Sequence, residues 1–352
     1  MSDDSSLPRD LAERDRLDTA RLGTWLAEHV PGFAGPLDYA KFAGGQSNPT
    51  YRLDTPARRY VLRRKPVGEL LPSAHQVERE YRVIAALHPT GFPVPRPYAV
   101  CEDAAVIGSA FYVMEMVEGR TIWDGAMPEL TPAARQAHYH AMIDTLADLH
   151  NIDPGAIGLG DYGRPGNYFE RQVARWTKQY RGAETETLPD MERLIEWLPG
   201  TVPPQTRTAI VHGDYRVDNM RFAPGEAPRV AAVLDWELST LGDPVADLTY
   251  YLMSWVTEPE GRSGVMGLTG DATGIPTLED MLARYAARTG RDEPVAIDWY
   301  FAFNLFRLAS IVQGIRKRVL VGTAANARAQ ETAARLPMLV SAAWHFAGRA
   351  GA

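Results

Sequence analysis

The stretch TAIVHGDYRVDNMRFAPGEAPRVAAVLDWE, Thr208 to Glu237, contains two short apolar runs that each end on a carboxylate. Ala209-Ile210-Val211 leads into His212-Gly213-Asp214, and Asn219 follows Asp214 by five residues. Val230 to Leu234 leads into Asp235. Short runs of β-branched and aliphatic residues make buried strands. Each run should therefore carry its polar residue to the edge of a core, and two carboxylates and an amide are expected in one place.

Outward from that stretch the texture of the chain changes. Leu17, Leu22, Trp25, Leu26 and Val30 recur at helical spacing until Pro31-Gly32 stops them. From Leu37 to Lys65 short alternating runs, separated by Gly44-Gly45 and by Thr55-Pro56-Ala57, predict three antiparallel strands. Leu70 to Leu87 reads as a helix, its start signalled by Ser73 with Gln76 three residues on. Val77, Tyr81, Val83, Ile84 and Leu87 share a face with Glu80 in its middle, while Glu78 lies outside it. A buried carboxylate without a partner is costly, so Glu80 predicts a nearby cation. Pro93, Pro95 and Pro97 lead into two more strands, Tyr98 to Glu102 and Phe111 to Met116. Helical patterns dominate afterwards, near Thr131–His150, Tyr168–Arg181, Met191–Leu198, Val245–Trp255, Leu278–Thr289, Val295–Val319 and Ala325–Phe346. Pro259 to Pro276 is a loop by composition. The expected fold is α+β, a five-stranded antiparallel sheet plus helix followed by a larger, mostly helical part.

The 352 residues, 45% hydrophobic and 23% charged, suffice for two lobes or domains. A net charge of −7 with 37 scattered basic residues offers no stripe that would track nucleic acid. A single cysteine, Cys101, excludes an intrachain disulfide framework and suits a reducing cytoplasm. The N-terminus has no signal segment and no apolar run approaches membrane-spanning length, so the expectation is a cytoplasmic protein with no membrane partner.

The spacing His212-x-Asp214-x-x-x-x-Asn219, with Asp235 ending a second strand, matches the catalytic loop of kinases and their metal-binding aspartate. On that reading Asp214 orients and deprotonates an acceptor hydroxyl. Asn219 and Asp235 offer oxygen ligands to Mg²⁺, a hard cation. His212 is read as a structural histidine bonding nearby backbone, with proton transfer as its catalytic alternative. Alternation along Arg59–Lys65 puts Val61, Arg63 and Lys65 on one face and Tyr60, Leu62 and Arg64 on the other. Arg63 is the partner expected for Glu80 and the phosphate contact, ahead of Lys65; Arg58, Arg59 and Arg64 are read as a solvated edge. Gly44, Gly45, Ser47 and Asn48 form a turn whose backbone and side chains could donate to phosphate, though an ordinary hairpin explains it as well. Asp243, before Pro244, reads as a helix cap. Asp247 could cap or could brace the catalytic loop through its backbone N–H groups, and the brace is favoured.

The blocks FAGGQSNPTYRL, YVLRRKP, AHQVEREYRVI, FYVMEMVEG, VHGDYRVDNM, VLDWE and GDPVADLTYYL resemble the aminoglycoside phosphotransferase and choline kinase superfamily. They are most similar to the phosphotransferase domain fused to acyl-CoA dehydrogenases. That resemblance implies a protein-kinase-like two-lobe fold, an N-terminal lobe of residues 1–117 with a hinge at 114–119, and a C-terminal lobe of 118–352. It implies ATP and Mg²⁺ as cofactors and a hinge, around Glu115 and Met116, that hydrogen-bonds adenine. Arg63 stands where many members have lysine, and Asp235-Trp236-Glu237 replaces D-F-G, which puts loop switching of the protein-kinase kind in doubt.

The acceptor is expected to be a small molecule with a hydroxyl. Trp236, Glu237, Asn304 and Arg307 are its candidate contacts, the last two on one helical face with Tyr300 and Ile311. Arg307 on a largely apolar face suggests an anionic partner. Together with the resemblance this favours a hydroxy-acid or hydroxyacyl thioester. The alternatives are an antibiotic phosphotransferase, aminoglycoside or macrolide, and a nucleotide-binding pseudokinase that acts through protein partners.

Overall fold

The computed structural model describes residues 11–42, 48–67, 75–225, 228–259, 263–292, 296–323 and 329–352. Gly44, Gly45, Ser47, Leu70 and Ser73 lie outside them. The chain divides into two compact units. The first runs to Ile122, five residues beyond 117, and takes in Ile157–Leu159 and Asp218–Ser239 from later in the sequence.

In the first unit, β1 (Asp38–Lys41), β2 (Thr50–Asp54), β3 (Arg59–Arg64), β4 (Pro97–Cys101) and β5 (Phe111–Glu115) form an antiparallel sheet ordered β1-β2-β3-β5-β4. Period-two alternation sends Tyr51, Leu53, Tyr60, Leu62, Phe111 and Val113 to one face. There they pack with Leu22 and Leu26 of helix α1 (Thr19–His29), which starts where the Asp18 carboxylate accepts the N–H groups of Ala20 and Arg21. Arg64 shares that face and is buried, not solvated as expected. Its guanidinium donates to the carbonyls of Ile107 and Arg14 and lies 5.4 Å from the Tyr51 ring centroid. Carbonyls and a π-face replace the water it gives up.

Helix α2 (Val77–Leu87) begins at Gln76, later than the expected Leu70. His75, in the left-handed region at φ 59°, cannot belong to a helix. The missed helix α3 (Ala104–Ile107) is a single turn capped by Asp103.

Four strands follow: β6 (Ala209–Val211), β7 (Met220–Phe222), β8 (Val230–Val233) and β9 (Thr240–Gly242). The two apolar runs of the opening stretch do not pair with each other. β8 pairs with β7 in the first unit, and β6 pairs with β9 in the second.

The second unit is helical: α4 (Pro132–Asn151), α5 (Tyr168–Ala183), α6 (Pro189–Trp197), α7 (Val245–Leu252), α8 (Leu278–Thr289), α9 (Ile297–Leu320), α10 (Ala329–Ala334) and α11 (Leu336–Arg349). Helix α9 is its central member, with α5, α7, α10 and α11 packed around it. Trp299 and Phe303 stack in parallel, and Phe169 of α5 meets Phe303 edge-on. The single final helix expected from Ala325 is broken between Ala334 and Leu336, because Pro337 has no N–H to give the Ala333 carbonyl and its ring crowds that carbonyl, whereas it suits a first turn.

Candidate active site

In the first unit β3 and α2 bring a cation and a carboxylate together. Nε of Arg63, whose side chain is 11% exposed, lies 2.9 Å from Oε2 of buried Glu80. Nη2 of the same guanidinium lies 2.6 Å from Oδ1 of Asp235 and 3.3 Å from Oε2 of Glu237. Glu80 also accepts from Asn48 Nδ2 at 2.7 Å and from the Tyr112 hydroxyl at 3.1 Å. Burial pushes the Glu80 carboxyl up, Arg63 pulls it down, and Asp235 and Glu237 push it up again, to about 7. One guanidinium thus faces three carboxylates. Lys65, on the same side of β3, is 2.7 Å from Glu78 instead.

Asn219 and Asp235 flank the β7–β8 hairpin. The Leu234 N–H donates to the Asn219 carbonyl at 2.8 Å, so the ends of the two strands are opposite each other. Asp235 adopts left-handed backbone at φ 67°, uncommon for a side-chain-bearing residue. Among the described residues no group of three or more His, Cys, Asp or Glu is arranged to hold a metal. An amide oxygen and one carboxylate oxygen fit Mg²⁺, which takes one or two protein ligands and completes its octahedron with phosphate and water.

In the second unit β6 ends at the loop His212-Gly213-Asp214. Asp247, in the first turn of α7, accepts the backbone N–H of His212 and, at 2.8 Å, that of Gly213. It is the brace, not a helix cap. Burial disfavours its charge, but His150, with Nε2 3.6 Å away, the nearby His212 ring and the Gly213 N–H hold its carboxyl below the ordinary value. The His212 ring is buried and its Nδ1 accepts the Asp214 N–H at 3.2 Å. Asp214 Oδ1 accepts the Tyr250 hydroxyl at 2.8 Å and lies 3.4 Å from Nε of Arg216.

Several expected contacts are engaged elsewhere. Asn48, expected at phosphate, is fully buried and bonded to Glu80. Trp236, expected at the acceptor, is 1% exposed, donates to the Val233 carbonyl and meets Phe92 edge-on. Glu237 is an Arg63 partner. Asn304 donates to Thr249 Oγ1 at 2.9 Å, and Arg307 donates to the Gly213 carbonyl. Around the expected hinge, Glu115 is exposed and its N–H donates to the Arg96 carbonyl at 2.8 Å, while Met116 is half-buried. Tyr250 is among the residues that the sequence reading missed, with His150, Arg216 and Tyr112. The signal for Tyr250 was helical phase, three residues after Asp247 and so on the same face.

A five-stranded antiparallel sheet carrying an Arg–Glu pair, then a helical part with a braced H-G-D loop, define the class: a kinase-like phosphotransferase. The chain belongs to the phosphotransferase enzyme family, whose model matches residues 38–302. It is 45% identical over 320 residues to mouse acyl-CoA dehydrogenase family member 10, covering 90% of this chain and 30% of the mouse protein. The chain therefore spans less than a third of that relative. A crystal structure from Ralstonia eutropha JMP134, provisionally named an aminoglycoside phosphotransferase, is 49% identical, with a TM-score of 0.88 over 95% of this chain and 99% of that one. Spectinomycin phosphotransferase, solved with ADP and spectinomycin, shares the fold at 12% identity, with a TM-score of 0.59 over 93% of this chain and 98% of that one. Among the described residues no helix is long and apolar enough to cross a membrane.

Proposed function

We propose that this phosphotransferase moves the γ-phosphate of ATP, with Mg²⁺, to the hydroxyl of a small hydroxy-acid or hydroxyacyl thioester. The observation that carries the nucleotide half is the carboxylate surplus around Arg63. Glu80, Asp235 and Glu237 share one guanidinium, which leaves negative charge beside Asp235 that a bound cation would offset. When bound, ATP supplies the phosphoryl group and Mg²⁺ neutralises charge on its oxygens. Arg63, held by Glu80, would contact phosphate, and Asn219 and Asp235 would hold the cation. Asp214 orients the acceptor hydroxyl and takes its proton on a carboxylate oxygen.

For the acceptor, a charged neighbour of Asp214 in its own unit is basic. Arg216 stands 3.4 Å from its Oδ1 and is 43% exposed, which suits an anionic acceptor better than a cationic antibiotic. The name of the mouse relative points to acyl thioesters in the same chemical neighbourhood. The test is an ATP-consumption screen over hydroxy-acids, hydroxyacyl thioesters, amino alcohols and antibiotics. Turnover is expected with the first two and its loss in Asp214→Asn and Asp235→Asn. Turnover with antibiotics alone would replace the acceptor assignment, and ATP binding without transfer to any acceptor would favour a pseudokinase.

A further inference from the structure

The loop His212–Asp214 is held from two helices at once. On α7, Asp247 takes the N–H groups of His212 and Gly213, and Tyr250, one helical turn on, donates to Oδ1 of Asp214 at 2.8 Å. On α9, Arg307 donates to the Gly213 carbonyl. Its guanidinium lies 4.8 Å from the centroid of the Tyr250 ring and 5.5 Å from that of Trp176. Arg307 is therefore the partner of the loop and of the tyrosine together, and both rings give it a π-face in place of water.

We propose that Tyr250 is a positioning residue for Asp214. Its hydroxyl fixes the rotation of the carboxylate about the Cβ–Cγ bond, and Arg307 fixes the Tyr250 ring. This rests on Asp214 being the base. A carboxylate can accept the proton of an acceptor hydroxyl only along its lone-pair directions, so an ordered rotamer counts directly toward rate and little toward nucleotide binding. Tyr250 is suited to the task. Burial and the Asp214 charge both hold its hydroxyl in the protonated, donating form.

The full chain labelled with ¹³Cζ-tyrosine tests the contact, and steady-state kinetics test its consequence. The resonance absent from Tyr250→Phe, or from Tyr250→Trp if the first does not fold, belongs to Tyr250. It is expected to move in Asp214→Asn by more than any other tyrosine resonance. Tyr250→Phe keeps the ring under Arg307 and deletes only the hydroxyl. With Mg·ATP and 3-hydroxybutyryl-coenzyme A as probe, its kcat is expected to fall about tenfold or more, with the KM for ATP within about twofold and Tm within about 2 °C of the parent. A Tyr250 resonance indifferent to Asp214→Asn overturns the contact. An unchanged kcat in Tyr250→Phe overturns the positioning role. Parental turnover by Asp214→Asn overturns the base assignment itself, an outcome distinct from either.

Discussion

Nη2 of Arg63 lies 2.6 Å from Oδ1 of Asp235, the proposed metal ligand, while Nε of the same side chain holds buried Glu80 at 2.9 Å. A planar fork reaches two carboxylates from separate nitrogens in fixed directions, whereas an ammonium presents its donors from one point. Arg63→Lys is expected to fold and to raise the KM for ATP by about tenfold, since one Coulombic contact survives and the geometry does not. Arg63→Met leaves Glu80 buried without its cation and should lower stability by roughly 3–5 kcal/mol. Thermal unfolding and ATP titration of both variants check this. An Arg63→Met protein as stable as the parent would mean that Glu80 is not held by Arg63.

Asp247 satisfies two buried N–H groups of the His212–Asp214 loop. Asp247→Ala leaves both without their acceptor, at a cost of about 1–3 kcal/mol for each. The expected signature is local: hydrogen exchange at His212 and Gly213 accelerates before exchange elsewhere in the second unit. kcat should fall by about a hundredfold, because a displaced loop displaces Asp214. Exchange at those two amides as slow as in the parent would exclude the brace.

The Arg63–Glu80 pair was legible because two local periodicities converge on it. Strand alternation put Arg63 on one face of β3, and helical phase put Glu80 inside the apolar stripe of α2, where a buried carboxylate needs a partner. Arg64 obeyed the same alternation and was still misread. The groups that accept its protons, the carbonyls of Arg14 and Ile107, lie 50 and 43 residues away and leave no local trace. Long-range strand pairing was hidden for the same reason. Nothing near Ala209 announces that β6 pairs with β9 and not with the second apolar run. Arg307 was recognised as a charge needing an anionic partner, but a backbone carbonyl and two aromatic faces meet that need equally well. The break ahead of Pro337 was the opposite case, since its local signal, the proline itself, was present in the sequence.

Gly274 has φ of +73°, and a Cβ there would run into the backbone carbonyl of Pro132 at the start of α4. The same junction is tied by Arg135, which donates to the carbonyls of Thr273, Met127 and Leu130. Backbone cannot yield as a flexible side chain can. Gly274→Ala therefore combines left-handed strain with overpacking and should destabilise the second unit by roughly 2–4 kcal/mol. Differential scanning calorimetry reads this directly. Gly290→Ala is the control, since it shares the positive φ, +66°, with open space around the added methyl.

Asp243 sits 3% exposed before α7 and accepts the Val245 N–H at 3.0 Å. Burial pushes its carboxyl up from 3.8 to about 6, against the pull of that one hydrogen bond. A carboxyl raised in the folded state binds more protons folded than unfolded. Its favourable contribution is therefore complete below about 3.8 and lost as pH climbs through about 6. Asp243→Asn keeps an oxygen for Val245 and removes the charge. Its Tm is expected to exceed the parent's at pH 7.5 by an amount equivalent to about 1–3 kcal/mol, and the gap should close as both are moved toward pH 4. Comparing the two proteins at each pH cancels the titration of every other carboxylate they share. A gap that stays constant from pH 4 to pH 7.5 would show that Asp243 titrates alike in the folded and unfolded chains.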